Sequence, residues 1–112
     1  MITETFSYLN SICQVVFDRY ESGNIHIQLT TMQNMPMATA TINIPEFNNL
    51  YGGHDAILVL IKDYAENEGM VDLLATHGYI KRTGLIWPTG LVKTPICVLT
   101  PECVELIKEQ GV

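Results

Sequence analysis

The chain has 112 residues, 47% of them hydrophobic and 16% charged, with 12 Asp and Glu against 6 Lys and Arg and a net charge of −6. That suits one folded domain with an ordinary core. The acidic balance argues against binding nucleic acid through an overall basic surface. No apolar run reaches the length of a membrane span and no signal pattern opens the chain, so the expected setting is the cytoplasm.

Residues 1–11 carry little pattern. Thr3 can cap a helical turn, and Phe6 and Leu9 are anchors three apart, so a short helical turn or a tail is expected. Residues 11–20 read as a strand through Val15, Val16, Phe17 and Tyr20. Residues 21–24 are a turn, and 25–31 alternate cleanly, with Ile25, Ile27 and Leu29 on one face and His26, Gln28 and Thr30 on the other. Residues 33–36 form the next turn, and 38–44 alternate again until Pro45. Three strands joined by short turns predict an antiparallel meander with one wet face. Met32, Met35 and Met37 flank Pro36, where they form either an adaptable contact surface or a hairpin tip.

Residues 45–55 read as a loop containing Gly52 and Gly53, which lacks the Lys-Ser/Thr of a phosphate-binding loop. The unbroken apolar run at 56–61 fits a strand covered on both faces. Lys62 ends it. Asp63 and Glu66 then have capping-box spacing, Asn67 is a rival cap, and Met70, Leu73, Leu74 and His77 recur at helical spacing until Gly78 closes the helix. Gly69 inside such a helix costs about 1 kcal/mol relative to Ala. Either the helix begins after it, or something approaches the backbone closely there.

Residues 79–84 read as a connector, 85–87 as a very short strand and 88–90 as a turn. Pro95 within 91–99 predicts an edge strand or one carrying a bulge. Thr100, Pro101 and Glu102 open a terminal helix with Val104, Leu106 and Ile107 on its apolar side. The sum is an α+β single domain: an antiparallel β-meander followed by a strand–helix unit and a terminal helix.

The candidate chemistry concentrates at 55–72. Asp55, Asp63, Glu66, Glu68 and Asp72 face Lys62 alone, giving a local charge of −4. Helix capping on a solvated face accounts for most of this. Beyond it, the turn Asp63, Tyr64, Glu66, Asn67 and Glu68 is the expected protein-contact surface. A metal-dependent domain or enzyme using Asp63, Glu66 and Glu68 is the competing reading, although no calcium-loop series is present. Cys13, Cys97 and Cys103 lack any Cys-x-x-Cys pair and stand in apolar segments. They read as buried thiols, and the scattered His26, His54 and His77 show no ligand spacing. No cofactor and no catalytic residue is expected. Lys81, Arg82 and Lys93, with no acid between them, make a positive stretch that can orient a partner or drive self-association. A structural subunit pairing through a sheet edge near 91–99 is a third reading.

One string carries a resemblance. Residues 62–70, KDYAENEGM, together with ATINIP at 40–45, TG at 83–84, PTGLV at 88–92 and PICVL at 95–99, resemble a family of small uncharacterised proteins of bacterial phages, plasmids and mobile elements. The resemblance covers about residues 38–99. Ala65 stands where that family has Ser, and the loop 48–54 is longer than usual. No activity comes with the family. What the resemblance implies is context: a bacterial or phage-encoded cytoplasmic protein, an accessory factor. The leading expectation for function is a non-enzymatic binding module that recognises a host or phage protein.

Overall fold

In the computed structural model, which describes residues 2–47, 56–90 and 92–112, the alternating segments of the first half pair as a four-stranded antiparallel meander. Its strands are β1 Thr5–Tyr8, β2 Ser11–Arg19, β3 Ile25–Thr31 and β4 Pro36–Thr39, neighbours in that order. The period-two pattern sets the faces. Cys13, Val15, Phe17, Ile25, Ile27 and Leu29 point inward and are buried, with Phe6 of β1 beside them.

A second sheet has three strands in the order β5-β7-β6, with β5 Leu58–Leu60, β6 Ile80–Thr89 and β7 Val92–Leu99. Helices α1 Met70–Thr76 and α2 Pro101–Glu109 follow β5 and β7. The architecture is the α+β one that the patterning predicts. One apolar core joins its parts: Val59, Ile61, Cys97 and Leu99 pack with the inner face of the first sheet and with Met70, Val71, Leu74, Cys103, Val104 and Ile107. A smaller cluster of Phe47, Leu60 and Ile96, with Trp87 edge-on to Phe47, covers the opposite face of the second sheet. The short apolar strand is therefore covered on both sides, Val59 facing one cluster and Leu60 the other. The radius of gyration, 13.2 Å, equals the roughly 13 Å of a single folded domain of this length.

The segment after β4 stitches the sheets together. The Ala40 amide donates to the Ile27 carbonyl of β3, while the Ala40 carbonyl accepts from the Lys62 amide after β5. Thr41 bridges to Ile61, and the Ile42 amide donates to the Leu60 carbonyl. The alternation at 38–44 therefore belongs only partly to a ladder, and β4 ends at Thr39.

Several expectations are corrected. Residues 5–8 are a strand, not a helical turn: Phe6 and Tyr8 alternate, and Leu9 and Asn10 reverse the chain in the left-handed region, at φ 51° and 64°. Residues 80–89 are one ten-residue strand in place of a connector, a short strand and a turn. It carries its own irregularity between Arg82 and Leu85. β7 is the central strand of its sheet and not an edge. Pro95 is tolerated there because β5 ends beside it: its carbonyl accepts from the Ile61 amide, and the return bond that a proline cannot make falls where the ladder stops. The expected Gly52–Gly53 loop lies outside the described residues.

Gly69 adopts φ 91° and α1 begins directly after it, with nothing packed where a Cβ would stand. The helix therefore starts at Met70, nearly two turns later than a cap at Asp63 would place it. Its C-terminus closes as the sequence predicts. The Gly78 amide donates to the Ala75 carbonyl and the Tyr79 amide to the Leu74 carbonyl, a Schellman closure that needs the left-handed φ of 87° at Gly78.

Candidate functional site

The acidic turn leaves the second sheet at Lys62 and enters α1 at Met70. Within it, the Asn67 and Glu68 amides donate to the Tyr64 and Ala65 carbonyls, forming a short 3-10 turn at Ala65–Asn67. The turn is possible because Ala65 sits at φ 54°, the left-handed region that residues with a Cβ avoid.

The five predicted contact residues divide between anchoring and display. Asp63 is half-buried, and its Oδ1 accepts the Val71 amide at 3.3 Å. It still satisfies an orphan amide of α1, but across the intervening turn and not as the adjacent N-cap, so the expected capping box does not form. Asn67 is 3% exposed and is corrected from contact residue to anchor: its Nδ2 donates to the Thr39 carbonyl at 2.7 Å. Buried amides need such a partner, and this one ties the turn to the end of β4. Glu66 reaches back to Lys62, whose ammonium also stands 5.8 Å from the Tyr64 ring centroid. Their shared hydrogen bond holds the Glu66 carboxyl below its usual range and lifts the Lys62 ammonium above its own. Glu66 and Glu68 are exposed and Tyr64 is half-exposed.

Asp63, Glu66 and Glu68 thus go three ways. Among the described residues no group of three or more His, Cys, Asp or Glu stands close enough to hold an ion, and Asp55 lies outside the described residues. Beside the turn runs a groove of ≈ 520 Å³. Met37, Thr39, Thr41 and Ile42 form one wall, and Lys62, Tyr64, Glu66 and Asn67 form the other. Sequence reasoning found Tyr64, Glu66 and Asn67 of the second wall and only Met37 of the first. Thr39, Thr41 and Ile42 lie in the alternating stretch 38–44, which is where the signal for that wall was.

The other candidates resolve structurally. The three thiols are buried. Desolvation raises the Cys13 thiol and pushes Cys97 to about 11 and Cys103 to about 12, so all stay protonated and unreactive near neutrality. The positive stretch does not form one patch. Lys81 and Arg82 are successive residues of a strand and project from opposite faces; Arg82 pairs with Asp72, and Lys93 sits opposite Pro88 near the far end of the hairpin. Lys81 and Lys108 instead border an apolar groove of ≈ 410 Å³ beside α2, where Val98, Leu99 and Val104 contribute lining.

No family model, no curated protein and no solved structure matches this chain. Among the described residues no helix is long and apolar enough to cross a membrane.

Proposed function

We propose that the protein is a non-enzymatic binding module, an accessory factor of a phage or other mobile element. It acts in the cytoplasm by laying its acidic turn against a positively charged surface of a host or phage protein. The observation that carries the reading is the construction of the turn. Asn67 and Asp63 fix its two ends, Ala65 holds a strained backbone between them, and Glu66 and Glu68 stand outward with Tyr64 beside them. Strain of that kind, kept where a glycine would relieve it, is found where a surface has a task. Exposed carboxylates on a pinned turn meet a basic partner with little ordering cost and speed its approach.

The test is affinity capture from the native host with two charge-matched baits. Glu66→Lys/Glu68→Lys reverses the turn, and Glu105→Lys/Glu109→Lys reverses α2 by the same amount. A partner retained by the wild type and the α2 variant, bound about tenfold or more weakly by the turn variant, and released by salt supports the assignment. Equal capture by all three removes it.

A further inference from the structure

The −6 charge is spread unevenly. Every Asp, Glu, Lys and Arg lies outside residues 5–17 and 27–45, and those two stretches contain no His. They supply β1, most of β2, most of β3 and all of β4. The register brings their turns to one end of the sheet: Cys13 pairs with Thr31, so the β1–β2 turn and the β3–β4 turn are neighbours, and Gln14 Nε2 reaches Asn34 Oδ1 across them at 3.0 Å.

That uncharged end is also where apolar side chains meet water. Leu9 is 68% exposed, Met35 62%, Ile12 55% and Met32 47%, and Val16 is exposed on the same outer face of β2, beyond Gln14. Among the described residues only Leu85 and Ile86, on β6, are comparably exposed large apolar residues. Ile12 and Val16 project outward because Cys13, Val15 and Phe17 alternate inward. Leu9 is held in the left-handed region at the turn tip, a conformation that costs a residue with a Cβ and here serves no internal packing. Five large exposed apolar side chains carried by charge-free stretches, two of them methionines, have the composition of an interface centre.

We infer that this end and outer face of the four-stranded sheet is a self-association surface, which pairs two copies of the chain through Leu9, Ile12, Val16, Met32 and Met35. The argument for a second copy is electrostatic. Two chains of −6 repel, and like charges brought together at an interface cost several kcal/mol. The charge-free end is the place where copies can meet without opposing carboxylates. An isologous contact lets the same patch cover itself. Gln14, between Ile12 and Val16 on that face, already spends its amide on the Thr31 carbonyl and Asn34 Oδ1. A basic partner gains nothing from this end, so the surface is separate from the acidic turn. It also differs from sheet-edge pairing at 91–99, which the central position of β7 removes.

Light scattering and sedimentation equilibrium on the full chain test it. The wild type forms a species of twice the 12.5 kDa chain mass, and it tightens as salt screens the net repulsion, the opposite of the salt response expected at the acidic turn. Ile12→Lys and Met35→Lys raise the dissociation constant about tenfold or more. Leu9→Gly weakens the dimer while relieving backbone strain, so its effect cannot come from misfolding. Glu66→Lys/Glu68→Lys leaves the dimer intact. A wild type that stays monomeric at every concentration overturns the inference. So does a dimer that ignores all three patch variants, or one lost instead with the two glutamates.

Discussion

Ala65 is where backbone and side chain disagree most openly near the acidic turn. Its φ of 54° places Cβ against the following carbonyl, at a cost of about 1–2 kcal/mol. Glycine at the same position removes the clash but frees the unfolded chain, which returns about 0.5–1 kcal/mol. Ala65→Gly is therefore expected to stabilise the fold by up to about 1 kcal/mol, seen as a higher urea midpoint at unchanged slope. Gly69, at φ 91° with open space around it, supplies the control. Gly69→Ala is expected to lower the midpoint, because only the backbone conformation is at issue there. A turn kept strained at Ala65 and relaxed at Gly69 separates the stretch that displays Glu66 and Glu68 from the stretch that only starts a helix.

At the scale of elements, the sequence was most informative where a side chain answers a backbone need one to four residues away. Helix α2 shows this. Thr100 was legible as its cap, and its Oγ1 accepts the Cys103 amide at 3.2 Å while its hydrogen bond to the Gly78 carbonyl, at 2.6 Å, also ties the helix start to the end of α1. Thr100→Ala removes both bonds and is expected to cost about 1–2 kcal/mol by chemical denaturation; Thr100→Ser keeps a hydroxyl and recovers most of it. The hairpin of β2 and β3 and the closure at Gly78 were legible for the same local reason. What escaped was decided by distant partners. β1 is a strand because Cys13 and Ile12 pair with it and because Phe6 stacks on His77 at 4.1 Å. β6 runs on past Gly84 because β7 pairs with it on both sides of the irregularity between Arg82 and Leu85, and Pro88 sits within the second paired stretch. Pro95 pointed to an edge, yet β7 became central because β5 is only three residues long. In the acidic turn the charges were visible, but Asn67 became an anchor through Thr39, 28 residues away. Which of five polar side chains would be spent on folding was not written in their spacing.

For the molecule as a whole, the titratable groups sealed in the core set how stability responds to pH. Burial pushes Tyr79 and Cys103 up to about 12 each, and Cys97 to about 11, from ordinary values of 10.0 for the phenol and 9.0 for the thiols. All three are neutral when protonated, and the fold holds them neutral. Below pH 9 both states keep these protons and the contribution is fully present. As pH rises past 9 the unfolded chain ionises its thiols, and past 10 its phenols, while the folded chain does not. The unfolded state then binds fewer protons, and stability falls with pH until the folded groups ionise near 11–12. Each group in its window contributes a slope of about 1.4 kcal/mol per pH unit. Urea denaturation from pH 7 to 11 is expected to show a plateau, then a decline that begins near pH 9 and steepens past 10. Cys103→Ala lowers the plateau by a small cavity cost and makes the decline shallower. In the native state all three thiols resist an aromatic disulfide reagent at pH 8, and all three react in urea. A decline of unchanged steepness in Cys103→Ala, or rapid native labelling, would show that α2 does not seal that thiol against the sheet, and the single core joining both sheets would have to be redrawn.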